Sequence, residues 1–153
     1  ERVAEGCALT AGLIGGIGGS KCRTAIAHPV HNGLTQLKFK NKPLHGELVG
    51  FGIVIQLLLE EKISENQLAK QAKTQLIKFL QKLKLPVRID SIGLESLSTY
   101  ELEKACRFSC NETSDIHQIP FTINKDKLLE ALLASISTKH TIDINQKGIK
   151  TKS

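Results

Sequence analysis

The chain has no methionine, no tryptophan and a single tyrosine, and five phenylalanines are its only other aromatic residues. A sequence this poor in aromatics lacks the stacking platforms on which unpaired nucleic-acid bases are held. Its core must be built from Leu, Ile, Val and Ala, a composition that suits packed helices. Four cysteines occur, Cys7, Cys22, Cys106 and Cys110, with no CxxC pair among them. A structural zinc site of paired cysteines is therefore excluded. All four read as buried or half-buried free thiols of a reducing compartment. No long apolar run exists. The longest, Val49 to Leu59, is too short to cross a bilayer, so no membrane association is expected. The ordered regions of a signal peptide are missing, and the protein reads as cytoplasmic. The absence of methionine and a start at Glu1 suggest a piece of a longer chain.

A phosphate-cradling loop is absent as well. Gly12 to Ser20 holds five glycines, but no GxxxxGK[ST] register fits around Lys21 and no strand pattern precedes it. The net charge of +6 comes from lysines spread over polar helix faces and a tail rather than from arginine clusters. Nucleic acid is therefore not the expected partner.

The 153 residues suffice for one core, and their patterning is helical throughout. Arg2–Ile14 suits a tightly packed helix. A second helix is expected from about Ser20 to Leu34, with Pro29 inside it and a kink near His28. The basic loop from Gln36 to Asn41 leads to Pro43 and an apolar helix over roughly His45 to Glu60. Ser64 with Gln67 forms a capping box ahead of an amphipathic helix with apolar positions Leu68, Ala72, Leu76, Phe79, Leu80 and Leu83. Leu85 to Leu94 reads as an irregular connection. Ser98 with Glu101 caps a further helix to about Cys110, Asn111 to Ile123 is a loop, and Asn124 caps a last helix. The expectation is an all-α helical bundle over residues 1–137, followed by a polar, frayed tail over 138–153.

Chemistry is concentrated in the histidines. His117 lies in a loop and His140 in the tail, where imidazoles are ordinarily surface residues. His28 and His31 are three apart on one helix face. His45 follows 17 positions after His28, across a loop long enough to fold two helices together. Gly33 and Gly46 are placed to let backbones approach. Neutral imidazole is a common ligand for zinc and iron, but hydrogen-bonded core histidines would leave the same pattern.

The frames around these histidines carry more. AHPVHNGLT (Ala27–Thr35) followed by PLHGELVGFGIVIQLLLE (Pro43–Glu60) resembles the metal-binding segment of the iron-containing alcohol dehydrogenase family. The likeness is greatest to its glycerol dehydrogenase branch, in which AHxxHNGLT and HGExVxFG recur. SDIHQIPF (Ser114–Phe121) resembles that branch's IHxxPF loop. The resemblance implies the helical C-terminal domain of an NAD-dependent, metal-requiring alcohol or polyol dehydrogenase. In such an enzyme a divalent metal, zinc or iron, polarises the substrate alcohol for hydride transfer to NAD. It further implies that His28 and His45 are metal ligands, with His31 in a supporting catalytic role. The remaining ligand, an aspartate, and the NAD site would belong to an N-terminal nucleotide-binding domain outside this sequence. Expected partners are that domain, a small-molecule alcohol or polyol substrate, and further copies of the chain in a homo-oligomer. By itself the chain should be inactive. The competing expectation is a truncated, non-catalytic relative that serves as a structural or interaction module.

Overall fold

The computed structural model describes residues 4–5 and 26–136. Within residues 26–136 five α-helices follow one another: α1 Ala27–Leu34, α2 His45–Ser64, α3 Gln67–Lys82, α4 Thr99–Ser109 and α5 Lys125–Ala134. Among the described residues there is no strand, and the all-α expectation holds. A single antiparallel bridge joins Phe39 to Leu94. Lys40 N–H donates to Gly93 O at 2.9 Å and Glu95 N–H to Lys38 O at 3.0 Å. The two irregular connections thus satisfy each other's backbone groups. The expected helix over Arg2–Ile14, the glycine-rich segment and the tail from residue 138 fall outside the described residues, residues 4 and 5 excepted.

The long apolar helix α2 is the centre of the domain. It packs against α1, α3 and α5, while α1 also packs on α4, and α4 on α5. Phe51, Ile55 and Leu59 of α2 meet Val30 and Leu34 of α1, Leu102 and Cys106 of α4, and Leu128 and Leu132 of α5 in one continuous core. Ile116, in the 3-10 turn Asp115–Gln118, has no exposed surface and anchors the IHQIPF loop to this core. Burial of each large apolar side chain contributes about 1.5–3 kcal/mol.

Three expectations about the helices need correction. Pro29 does not kink α1. The helix starts at Ala27, so Pro29 lies in its first turn, where a backbone N–H would lack an intrahelical partner in any case. Ser64 is not the cap of α3 but the last residue of α2. Glu65 takes the left-handed backbone conformation with φ 48°, and Asn66 is the cap, its side chain accepting from Leu68 N–H and Ala69 N–H. A left-handed residue ends α2 at Ser64, four residues past its expected end, and turns the chain into α3 within a two-residue corner.

The third correction concerns which face of α3 is covered. Ala69 and Leu80 are buried and Lys73 is paired with Glu61 of α2, whereas Leu68, Phe79 and Leu83 are 73%, 58% and 53% exposed. The helix keeps Leu80 of the expected stripe buried together with Ala69 and the ion pair to α2, and leaves Leu68, Phe79 and Leu83 outside.

Candidate metal centre

One turn of α1 separates His28 from His31, and both are half-buried. His45 opens α2 and is exposed. Two local devices set these positions. At the start of α2, the carboxylate of Glu47 accepts a hydrogen bond from Leu44 N–H at 2.7 Å. This is the reaching-back half of a capping box, and it fixes the turn that carries His45. Farther along, Gly52 brings the two helices together. A Cβ there would lie 2.6 Å from the Ala27 carbonyl oxygen and 2.9 Å from Ala27 Cα. No side chain fits, and the residue so clamped is the neighbour of His28.

Gly33 serves a different contact from the one expected. A Cβ on it would meet Ser109 Oγ at 2.1 Å and Ala105 O at 2.5 Å, so it seats α1 on α4 rather than on α2. Beside it Ser109 is buried, and its hydroxyl donates to Pro29 O at 2.8 Å. Gly46, by contrast, has nothing within 4 Å of where a Cβ would be. It permits no helix contact, contrary to expectation.

The three histidines are brought together. The His28 and His45 rings have centroids 5.6 Å apart, tilted by 45°. His31 and His45 stand edge to face at 4.4 Å and 72°, with His31 Nε2 3.0 Å from His45 Nδ1. On its far side, His31 Nδ1 lies 2.9 Å from Asn32 Oδ1.

The ring separation of His28 and His45 is compatible with two imidazoles on one metal ion. Two imidazoles bound at about 2.0–2.1 Å to one tetrahedral ion have ring centres roughly 5 Å apart, close to the observed 5.6 Å. Among the described residues no group of three His, Cys, Asp or Glu side chains is arranged to hold a metal ion. His31 is turned onto His45, so two imidazoles are what α1 and α2 offer.

The other candidates fall away from this site. His117 is exposed, with Nε2 3.0 Å from Asn111 O in its own loop. Cys106 and Cys110 are free thiols. Desolvation pushes Cys106 up to about 12, with the nearby Cys110 adding to it, and pushes Cys110 up to about 11. Neither is a reactive thiolate at neutral pH. Sequence reasoning missed Glu47, Asn32, Gly52 and Ser109. For Glu47 a signal existed, since an acidic residue stands at the third position of a helix that begins at His45.

No protein-family model matches the chain. An uncharacterized oxidoreductase of Synechocystis is 46% identical over 136 residues, which is 89% of this chain and 35% of that protein. A glycolaldehyde reductase of Halobacterium salinarum is 34% identical over 123 residues, 80% of this chain and 32% of its own length. A solved structure, a probable glycerol dehydrogenase of Sinorhizobium meliloti, superposes with a TM-score of 0.64 at 26% identity, covering 74% of this chain and 30% of that one. The homologues of this chain are thus glycerol dehydrogenases and related oxidoreductases, and its structural neighbours are glycerol dehydrogenases, consistent with the helical C-terminal domain of the iron-containing alcohol dehydrogenase family. The chain spans about a third of the length of the curated relatives it matches. Among the described residues no helix is long and apolar enough to cross a membrane.

Proposed function

We propose that this chain is the metal-holding helical portion of an NAD-dependent alcohol or polyol dehydrogenase, with His28 and His45 as two of the metal's protein ligands. The observation that carries the reading is the 5.6 Å separation of these two rings, on helices clamped where Gly52 meets Ala27. When bound, a divalent ion such as zinc or iron supplies Lewis-acid polarisation of an alcohol or carbonyl oxygen. The chain's own part is positional. α1 and α2 hold the two imidazoles at a fixed separation, and Glu47 locks the turn bearing His45. A third ligand, an aspartate, and the NAD site belong to an N-terminal portion of the longer protein. The chain alone therefore holds metal weakly and has no dehydrogenase activity.

Glycerol and glycolaldehyde, named in the relatives, both carry oxygens on adjacent carbons. That favours a vicinal diol or its α-hydroxycarbonyl product as substrate. The test is to join the chain to the N-terminal two-thirds of the Synechocystis relative and follow NAD reduction with glycerol and other diols. Diol-dependent reduction, lost in His45→Ala and after chelation, is the expected result. A folded, metal-loaded fusion without activity would overturn it.

The second reading is a non-catalytic interaction module, and the exposed stripe of Leu68, Phe79 and Leu83 favours it, since apolar patches promote association. The two readings differ in the activity of the fusion. A homo-oligomer is compatible with both.

A further inference from the structure

We propose that His31 is a positioning residue for His45, holding it in the tautomer whose proton is on Nδ1 and whose lone pair is on Nε2. The proposal rests on the reading of His28 and His45 as metal ligands, and it assigns His31 to neither metal binding nor substrate binding. The geometry is a short relay. Asn32 Oδ1 is an acceptor, so the His31 nitrogen 2.9 Å away, Nδ1, donates its proton. In a neutral imidazole the other nitrogen, Nε2, is then an acceptor. His45 Nδ1 lies 3.0 Å from it and must be the donor. The proton of His45 is thereby fixed on Nδ1, and its Nε2 keeps the lone pair that a metal requires.

The backbone of Asn32 is tied into the end of α1. The backbone carbonyl of Asn32 accepts from Thr35 Oγ1 at 2.7 Å and from Gln36 Nε2 at 3.3 Å, so the HNGLTQ stretch anchors the residue that orients His31. The edge-to-face stacking of His31 and His45 fixes the plane of the ring as the hydrogen bond fixes its proton. Histidine ligands ordinarily donate their second ring N–H to a carboxylate, carbonyl or water. Here the acceptor is another imidazole, one that points to the correct nitrogen only because Asn32 holds its proton on the far side.

The test uses the full chain, metal-free, isotopically labelled with 15N, at about pH 8 where unperturbed imidazoles are neutral. Long-range 1H–15N spectra report the tautomer of each histidine. The expected result is Nδ1–H for His45 in the native chain and a shift toward the Nε2–H form, which an unconstrained histidine prefers, in His31→Ala. His31→Gln, whose amide oxygen can accept from His45, should restore Nδ1–H. Titration with zinc chloride should show affinity about tenfold weaker in His31→Ala, largely recovered in His31→Gln, with circular dichroism confirming that both remain helical.

An unchanged His45 tautomer in His31→Ala would overturn the proposal. So would loss of zinc binding as complete as in His45→Ala without rescue by His31→Gln, since that would make His31 a ligand. Zinc binding indifferent to both His28→Ala and His45→Ala would instead overturn the ligand reading, and the positioning role with it. The tautomer spectra, which need no metal, separate these failures.

Discussion

Replacing Gly52 by alanine sets a methyl carbon 2.6 Å from the Ala27 carbonyl oxygen, 0.8 Å inside the 3.4 Å at which ordinary contact begins. All three of the nearest atoms belong to the backbone of Ala27, so no side-chain rotation relieves the clash. α1 and α2 must part or tilt. Overpacking of this kind costs about 1–3 kcal/mol, and the better helix propensity of alanine returns up to about 1 kcal/mol. With the full propensity return, a net loss of up to about 2 kcal/mol is expected. Gly50, two residues earlier on the same helix, is the control. A Cβ there makes one ordinary contact, with Leu80 Cδ2 at 3.8 Å, so Gly50→Ala should gain up to about 1 kcal/mol. Urea unfolding followed by circular dichroism gives both values. Because Ala27 precedes His28, Gly52→Ala should also weaken zinc binding measured by titration calorimetry, while Gly50→Ala should not. A Gly52→Ala chain as stable as Gly50→Ala, with native zinc affinity, would refute the helix clamp.

Other expectations follow from the same structure. Asn66→Ala should cost about 1 kcal/mol through loss of the α3 cap, whereas Ser64→Ala should stay within about 0.5 kcal/mol; chemical unfolding of the two distinguishes the caps. The thiols make stability fall in alkali. The folded pKa values of Cys106 and Cys110, about 12 and about 11, lie above the ordinary 9.0. The unfolded chain therefore releases those protons first, and their contribution, complete below pH 9, is lost as pH rises through 11 to 12. Melting temperatures across that range should fall less steeply for Cys106→Ala than for the native chain, and identical slopes would contradict the burial argument. Finally, Leu68→Lys combined with Phe79→Lys should leave the helix content unchanged and reduce self-association in light scattering, if the exposed stripe of α3 is what copies of the chain use.

The sequence exposed the part of this molecule that depends on residue identity. The histidines and their frames, HNGLT and HGE, were legible because the spacing places His28 and His31 on one helix face and His45 across a foldable loop. The all-α architecture was legible from periodicity and caps, and Ser98 and Asn124 cap their helices as expected. What escaped depends on distance between segments. Pro29 is harmless or kinking according to where α1 begins, which local pattern does not reveal. The α3 stripe has ideal helical spacing, yet packing buries only Leu80 of it fully, with Ala69 and with Lys73 paired to Glu61, and leaves Leu68, Phe79 and Leu83 exposed. Likewise Gly46 and Gly52 look equivalent in sequence, and only Gly52 faces a backbone. The relay from Asn32 through His31 to His45 was hidden for the same reason, since its decisive contact joins residues 14 apart.

The central claim is that α1 and α2 present two ligands of a metal site whose remainder lies in another part of a longer protein. Metal content after dialysis tests it most directly, using the chain alone, the chain joined to the N-terminal two-thirds of its Synechocystis relative, and the same fusion carrying His28→Ala or His45→Ala. The account predicts stoichiometric zinc or iron in the native fusion and almost none in the other three. Stoichiometric metal in either histidine variant of the fusion would contradict it.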